Sequence, residues 1–456
     1  MTNDLEKLLD VSKPARLIPT ISQTRKEERL VSVLLGTLRV VRPLAEVLLG
    51  RCGVKLGKTA KVASYVEVKL PDAAGGTSDR PDGVICVSKR NTRWAALLEA
   101  KIDNVAIDEA QVRRYAESAK RLGVDAVITL SNQLVPLPTH TPYTVPKRLS
   151  NKVRFFHLSW VSILTHAALI LRDRQSLDVE QAFVLDEMVN YFEHPGAGVK
   201  RFDRMNPEWR PLVLGVRVEQ QFKRNSDEIS NTVSSWHQEE RDLCLILDRR
   251  IGQPIGIRMP RKHQMEPAMR LRDASDVLVA SKELRSSFIV PNAAGDIDVT
   301  VNLQRRTVTC SMTVKAPGDR KRPSASINWL VRQLKKIDSE DVLIRTYWAG
   351  RSGQTQAPLS DVLENPKCLE QGIKGPLPSR FEVAMVRDLA GRFSGRRTFI
   401  DDVEAAVPEY YDRVGQHVRA WTPPPPPIEK RDPIGSGVDG SPKVATGSNL
   451  AQAGAE

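Results

Sequence analysis

The spacing of apolar residues along the first part of the chain predicts a helix followed by three strands. Apolar positions recur at helical spacing over residues 30–41, just after Thr24-Arg25-Lys26-Glu27, which has the form of a capping box. Residues 61–70 alternate between apolar and polar, as in a strand with one buried face. Residues 84–87 and 94–102 predict two more strands, joined by a polar turn into a hairpin.

The series of predicted helices and strands continues as far as residue 172. Asp108 to Leu122 predicts a helix, and Gly123 follows it at a position that favours left-handed backbone. Residues 124–130 and 153–158 are apolar and predict strands, and residues 159–172 predict another helix. The order α-β-β-β-α-β-β-α is typical of an α/β protein.

The second half of the chain has a different pattern. Residues 207–249 are helical in spacing, and the charged stripe at residues 237–242 within them suggests a helix that bridges two domains. After residue 251, four strand-like segments and a basic amphipathic helix over residues 328–337 predict a separate α+β domain.

Changes in composition give the expected domain boundaries. From Thr422 onward the chain is rich in Pro, Gly, Ser and Ala and has little to bury, which predicts disorder. We expect five segments, namely an N-terminal arm over residues 1–20, an α/β domain over 21–195, a helical connector over 196–250, an α+β C-terminal domain over 251–421 and a disordered tail over 422–456.

Composition excludes several classes of protein. Apolar residues make up 41 % of the 456 residues, and no uninterrupted run approaches the roughly 18 that a membrane span needs. The first residues are acidic and polar, without the apolar run of a secretory signal, so we expect a cytoplasmic protein. The five cysteines are odd in number and never form a CxxC pair, which argues against a disulfide framework and a structural zinc site.

Two carboxylates and an ammonium are predicted to meet at the hairpin. Glu99 and Lys101 are two residues apart in a strand, so both side chains project from one face, whereas the opposite face is apolar. Asp82 precedes the neighbouring strand, and an antiparallel return brings its carboxylate beside Glu99. The alternative is that Asp82 belongs to a Pro-Asp-Gly turn and that Glu99 and Lys101 form a solvated strand pair.

Such a pair of carboxylates matches the coordination chemistry of Mg²⁺. This ion prefers hard oxygen ligands, keeps several waters and is typically held by one or two carboxylates plus a substrate phosphate. It activates a water and neutralises the charge that develops on a scissile phosphate, and Lys101 would orient that water or support that charge. We therefore expect Asp82 and Glu99 to bind the metal and Lys101 to act in catalysis.

These residues and elements together resemble the PD-(D/E)XK nuclease superfamily over residues 20–195. Its core carries an acid at the start of the second strand, matched by Asp82, and an acid-x-lysine on the third, matched by Glu99 and Lys101. The resemblance implies a restriction-endonuclease-like αβββαβ core with a mixed sheet. It also implies an Mg²⁺-dependent endonuclease, with Mn²⁺ as an alternative ion, acting in bacterial or phage defence, repair or stress response.

A QxxxY motif on the next helix is similar to that of the RecB-like branch of the superfamily. Gln111 and Tyr115 share one face of the helix, and the resemblance implies that both line the site. The alternative is that Asp108-Glu109-Ala110-Gln111 forms a capping box, which would use the Gln111 side chain to bind backbone at the start of the helix.

Many members of the superfamily also bring a glutamate from the first helix to the metal. Glu27 and Glu28 are the candidates, and Glu28 is favoured because the predicted capping box already uses Glu27. An acid in the first turn is also explained by the helix dipole alone. Glu67 is a reserve candidate, although a strand glutamate of this kind more often pairs with a lysine across the sheet.

Charge predicts a polyanionic partner. The chain has 68 Lys and Arg against 55 Asp and Glu, a formal net charge of +13. Basic clusters in the second half include Arg261-Lys262, Arg305-Arg306 and Arg320-Lys321-Arg322. They fit phosphate contacts that position a nucleic acid without reading its sequence, and they equally fit an ordinary solvated surface.

Two functions therefore remain in view. The favoured one is a metal-dependent hydrolase that cleaves nucleic acid, with DNA as the preferred substrate and no membrane partner. The other is a non-catalytic protein that uses a nuclease fold to bind nucleic acid or another partner. The sequence decides neither between DNA and RNA nor between a monomer and a homodimer.

Overall fold

The computed structural model of the protein describes residues 3–10, 12–19, 21–22, 24–71, 77–89, 92–350, 353–373 and 375–423. Residues 1–421 form one unit, which contains every helix and strand given below, and residues 422–456 form a second. The predicted disordered tail lies outside the described residues except for Thr422 and Pro423.

The first part of the chain alternates helices and strands, as its sequence predicts. The helices are α1 (Asn3–Asp10), α2 (Lys26–Val40), α3 (Arg42–Arg51), α4 (Glu109–Leu122), α5 (Lys147–Ser150), α6 (Trp160–Arg172) and α7 (Val179–Glu193). The strands are β1 (Lys13–Pro14), β2 (Lys61–Val66), β3 (Leu70–Pro71), β4 (Thr77–Asp79), β5 (Gly83–Lys89), β6 (Thr92–Ala100), β7 (Ala126–Ser131) and β8 (Arg154–Ser159). This part is therefore a mixed α/β structure.

Six of these strands form one mixed sheet. Their order is β1-β2-β5-β6-β7-β8, while β3 and β4 pair separately. The pairs β1/β2, β2/β5 and β5/β6 are antiparallel, and β6/β7 and β7/β8 are parallel. The change of direction follows from chain length, because β5 and β6 are joined by a short connection, whereas α4 crosses over between β6 and β7.

Helices cover both faces of this sheet. Leu98 and Ala100 of β6 pack in a core with residues of α2, α3, α6 and α7. Leu97, one position away, packs on the opposite face with residues of α1 and α4, including Tyr115. Because successive strand residues alternate between faces, Glu99 lies on the same face as Leu97, under α4.

The structure corrects two local predictions. Helix α2 begins at Lys26 with Arg25 at its N-cap, and no side-chain hydrogen bond forms a cap there, so the capping box at Thr24 is absent. Strand β2 ends at Val66 instead of Leu70, because Glu67 has a left-handed backbone with φ of 57°. Leu70 and Pro71 pair with β4 in the small separate sheet instead.

Gly83 brings β5 close to α2. A Cβ atom at this position would lie 2.6 Å from Leu35 Cδ1 and 3.0 Å from Val31 Cγ1. Gly83 is the first residue of β5 and pairs with Leu98, so the Pro-Asp-Gly segment enters a strand and is not a hairpin turn. The glycine is there for space between the sheet and the helix.

The second part of the chain forms a seven-stranded antiparallel sheet with helices. Its helices are α8 (Trp209–Arg217), α9 (Asp227–Ile251), α10 (Arg261–Met265), α11 (Pro267–Ser281), α12 (Pro323–Leu334), α13 (Leu359–Glu364) and α14 (Arg396–Arg413). Its strands are β9 (Gly256–Ile257), β10 (Glu283–Ile289), β11 (Ile297–Asn302), β12 (Thr307–Lys315), β13 (Val342–Trp348), β14 (Gln354–Pro358) and β15 (Pro378–Asp388). The order is β14-β13-β15-β12-β11-β10-β9.

Helix α9 packs against both parts of the chain. It contacts α6 of the first part and α11 and α14 of the second. Its residues Glu239 to Asp242 are buried, although all four carry ionisable side chains. None of the described helices is long and apolar enough to cross a membrane.

Candidate active site

The register of the β5–β6 hairpin brings Asp82 beside Glu99. Gly83 pairs with Leu98, and continuing this antiparallel register by one residue places Asp82 opposite Glu99. The backbone N–H of Ala100 donates to Asp82 Oδ2 at 2.8 Å. The first predicted acid is therefore tied to the strand that carries the second.

Glu99 is buried, and its carboxylate is only half satisfied. The residue is 2 % exposed, which excludes a solvated strand pair. Lys101 Nζ donates to Glu99 Oε1 at 2.5 Å and to the carbonyl oxygen of Ala100 at 3.1 Å. Glu99 Oε2 is buried and accepts no hydrogen bond of good geometry from a described residue, although the nearby Tyr115 hydroxyl lowers the pKa of Glu99. A buried carboxylate oxygen without a donor is costly, so this atom needs an explanation.

Burial and crowding of the acids shift their protonation. Burial, followed by the charge of Glu99, raises the pKa of Asp82 to about 8. Burial also raises the pKa of Glu99, although Lys101 opposes that change. Burial alone would lower the pKa of Lys101, but its hydrogen bond to Glu99 and the neighbouring acids raise it. Two carboxyls with raised pKa values beside a charged amine are typical of functional sites.

Helix α4 supplies the two residues of the QxxxY motif. Gln111 Nε2 donates to the Tyr115 hydroxyl at 2.9 Å, and that hydroxyl donates to the carbonyl oxygen of Arg80 at 3.0 Å. The helix is capped by Asp108, which accepts from the N–H of Ala110. Gln111 therefore positions Tyr115, in contrast to the capping-box alternative. Burial and the charge of Glu99 raise the pKa of Tyr115, which keeps the phenol protonated.

Helix α2 brings Glu27 to the site, whereas Glu28 points to Arg25. Glu27 Oε2 is 3.6 Å from Lys101 Nζ, and Glu27 Oε1 accepts from the N–H of Ile102 at 3.3 Å. Glu28 instead lies 3.7 Å from Arg25. The preference for Glu28 depended on a capping box that does not form, so Glu27 is the residue that is free to reach the strand.

Trp160 is a contributor that the sequence did not reveal. Its indole N–H donates to the carbonyl oxygen of Lys101 at 2.9 Å, and the side chain is fully buried at the start of α6. Lys101 also donates its own N–H to the carbonyl oxygen of Leu130 at 2.8 Å. The backbone of Lys101 is therefore fixed on both sides. The apolar spacing of α6 indicated that Trp160 would be buried but not which residue it would contact.

The donor set fits a divalent cation that keeps part of its water shell. Among the described residues, no group of three or more His, Cys, Asp or Glu side chains is arranged to hold a metal. Asp82 and Glu99 offer two carboxylates, one of which has an unpaired buried oxygen, and such a partial shell of hard oxygen atoms is what Mg²⁺ accepts. A bound cation would stabilise the ionised form of both acids, whose pKa values are otherwise raised.

Two of the predicted phosphate-binding residues form ion pairs at the protein surface. Lys262 lies 2.7 Å from Asp273, and Arg320 lies 3.5 Å from Asp319. Arg306 has left-handed backbone between β11 and β12, with φ of 59°. Arg261, Arg305, Lys321 and Arg322 are exposed. Lys262 and Arg320 also keep a large exposed fraction, so phosphate binding by this set stays a prediction.

Neither the models of known protein families nor the curated proteins gave a match to this chain. A function is therefore inferred from the residues of the site and from the fold that holds them.

Proposed function

We propose that the protein is a metal-dependent phosphodiesterase that cleaves nucleic acid, with DNA as the favoured substrate, at a site built from Asp82, Glu99 and Lys101. The mixed sheet between helices on both faces supports a restriction-endonuclease-like fold for the first part of the chain. The resemblance to the PD-(D/E)XK superfamily and its RecB-like branch belongs to the same proposal. Action in defence, repair or stress response follows from that resemblance.

The meeting of the buried Glu99 with Asp82 and Lys101 is the observation that carries the proposal. The N–H of Ala100 holds the Asp82 carboxylate beside this strand, Lys101 donates to Glu99 Oε1, and Glu99 Oε2 is a buried oxygen without a described hydrogen-bond donor. A cation between Asp82 and Glu99 would satisfy this atom and offset the repulsion of the two acids.

Each residue of the site has a role that follows from its contacts. Asp82 and Glu99 would hold the cation, which supplies Lewis-acid charge for water activation and phosphate binding. Lys101, whose pKa is raised, stays protonated and can donate a hydrogen bond to a phosphate oxygen. Tyr115 donates a hydrogen bond to the Arg80 carbonyl and so fixes the segment that leads to Asp82. Gln111 in turn donates to the Tyr115 hydroxyl and fixes its position.

The test is cleavage of labelled DNA and RNA, single- and double-stranded, by the purified full chain. Assays are run with Mg²⁺, with Mn²⁺ and with a chelator. We expect cleavage that requires the metal and that falls by at least about 100-fold in Asp82→Asn, Glu99→Gln and Lys101→Ala. Asp186→Asn and Lys120→Ala change exposed residues of α7 and α4 and serve as matched controls.

Two results would overturn the proposal. Cleavage that persists in Lys101→Ala and Asp82→Asn would place the chemistry elsewhere or identify a contaminant. Binding of nucleic acid by the wild-type chain without cleavage in either metal would favour the second hypothesis, a non-catalytic protein on a nuclease fold.

A further inference from the structure

Three cationic side chains converge on one carboxylate next to the candidate active site. Glu67 lies 2.6 Å from Lys13 Nζ, 2.5 Å from Arg80 Nη2 and 3.4 Å from Arg25 Nη1. Arg25 also lies 3.7 Å from Glu28. We refer to Lys13, Arg25, Arg80 and Glu67 as the Glu67 cluster. Its three cations exceed its single anion, and Glu28 offsets only one further charge.

The cluster hides its anion and displays its cations. The Glu67 side chain is 19 % exposed, whereas the exposed fractions are 74 % for Lys13, 47 % for Arg25 and 37 % for Arg80. The hydrogen bond from Lys13 is the main cause of the lowered pKa of Glu67. The carboxylate therefore stays ionised and holds the three cations in place. The surface that a partner meets is therefore positive.

The backbone conformation of Glu67 explains how its side chain reaches the cluster. Its φ of 57° is left-handed, which a glutamate adopts at an energetic cost. This conformation ends β2 and allows the side chain to reach Lys13, Arg25 and Arg80 together. The backbone conformation thus places the Glu67 carboxylate among the three cations.

The cluster is continuous in sequence and contact with the proposed site. Arg80 is two residues before Asp82, so their Cα atoms are at most about 7 Å apart. The carbonyl oxygen of Arg80 accepts from Tyr115, while its side chain turns outward to Glu67. Arg25 is likewise two residues before Glu27, which contacts Lys101.

We propose that the Glu67 cluster binds the phosphates that flank the cleaved bond on a nucleic-acid strand. The inference rests on the proposed function, because it assumes that the scissile phosphate lies at Asp82 and Glu99. Arg80 and Arg25 contact the neighbouring phosphates, and Lys13 extends the contact along the strand. Glu67 keeps the three cations oriented when no strand is bound.

The test measures binding independently of cleavage. Fluorescence anisotropy of short labelled DNA and RNA strands gives the dissociation constant in chelator over a range of salt concentrations. We expect Arg80→Ala and Lys13→Ala each to weaken binding several-fold at low salt and to reduce the slope of log K against log salt by about one. Arg80→Lys keeps the charge and should keep the slope. Arg224→Ala removes a comparably exposed arginine that pairs with Asp276, and it should leave both quantities unchanged.

The outcomes separate this inference from the proposed function. Unchanged slopes in Arg80→Ala and Lys13→Ala, with metal-dependent cleavage intact in the wild type, would overturn the phosphate-binding role alone. Reduced slopes in a chain that cleaves nothing would show that the cluster binds phosphates but would overturn the nuclease, and with it the placement of those phosphates beside a cleaved bond. A lower melting temperature without any change in slope would mean that the cluster only ties β1 to β2.

Discussion

Ala100 donates its backbone N–H to the carboxylate of Asp82 at 2.8 Å, across the β5–β6 pair. Ala100 itself lies between Glu99 and Lys101, so one hydrogen bond fixes the first acid relative to both other members of the site. The position of Asp82 therefore depends on the register of the hairpin, and anything that shifts the register separates the two carboxylates.

Glu27 and Glu28 provide a matched pair for testing which glutamate of α2 belongs to the site. Glu27→Gln removes a charge that lies 3.6 Å from Lys101 Nζ, and we expect nuclease activity to fall by about 10-fold or more. Glu28→Gln changes the neighbouring residue and should have little effect on turnover. Equal losses of kcat in both variants would contradict the assignment.

Metal binding should be visible as added stability. A ligand that binds only the folded state at about 100 times its dissociation constant raises the free energy of unfolding by about 2.7 kcal/mol. We expect Mg²⁺ or Mn²⁺ to raise the melting temperature of the wild type, and Asp82→Asn and Glu99→Gln to lose that increase. Asp186→Asn should retain it. The same increase in all four proteins would place the ion elsewhere.

Tyr115→Phe removes the hydrogen bond from the phenol to the Arg80 carbonyl and the one that the phenol accepts from Gln111. Because the variant leaves a carbonyl oxygen without its donor, we expect the free energy of unfolding to fall by about 1 kcal/mol. Activity should fall as well, since the segment from Arg80 to Asp82 loses an anchor. Urea unfolding and cleavage rates measure the two effects, and Tyr191→Phe on α7 is the control. A loss of stability as large in Tyr191→Phe would show that the effect is not local.

Glu239 predicts a pH dependence of stability. Both of its carboxylate oxygens are buried without a hydrogen-bond partner among the described residues, and burial raises its pKa well above the ordinary value. Burial likewise raises the pKa of the neighbouring Glu404 to about 7. The folded state binds these protons more tightly than the unfolded state, so the stability that the two groups contribute is full below the ordinary pKa of glutamate and declines as the pH rises, through about 7 for Glu404 and further for Glu239.

Glu239→Gln tests this dependence. The amide cannot ionise, so at about pH 8 the variant should be more stable than the wild type by up to about 1.4 kcal/mol for each unit by which the folded pKa is raised. At about pH 4 the two proteins should unfold at nearly the same urea concentration. Glu187→Gln, on an exposed position of α7, should follow the wild type at both pH values. A variant that is less stable than the wild type at about pH 8 contradicts the prediction.

Local signals predicted the elements that position the site. Helix α4 begins after Asp108 and ends before Gly123, whose φ is 66°. Each end is set by one residue next to it in sequence, a capping aspartate at the start and a left-handed glycine after the last turn. The β5–β6 hairpin likewise follows from alternation and a short connection. These features depend on neighbours in sequence.

Other features depend on contacts between distant residues. Helix α2 starts at Lys26 without a capping box, and its Glu27 accepts from the backbone N–H of Ile102, which is 75 residues away. Glu67 directly follows the last residue of β2, and its carboxylate accepts hydrogen bonds from Lys13 and Arg80. Hydrophobic periodicity carries no information about such pairings, so the choice between Glu27 and Glu28 required three-dimensional structure.

The missing side chain of Gly83 sets the distance between two layers of the protein. Even an alanine would require the ends of the Leu35 and Val31 side chains of α2 to shift. Glu27 is at the beginning of that helix and Asp82 is next to the glycine, so the close packing at Gly83 lies between the elements that carry these two acids. The absence of a side chain at the third residue of the Pro-Asp-Gly motif therefore allows the strand that follows Asp82 to pack closely against the helix that carries Glu27.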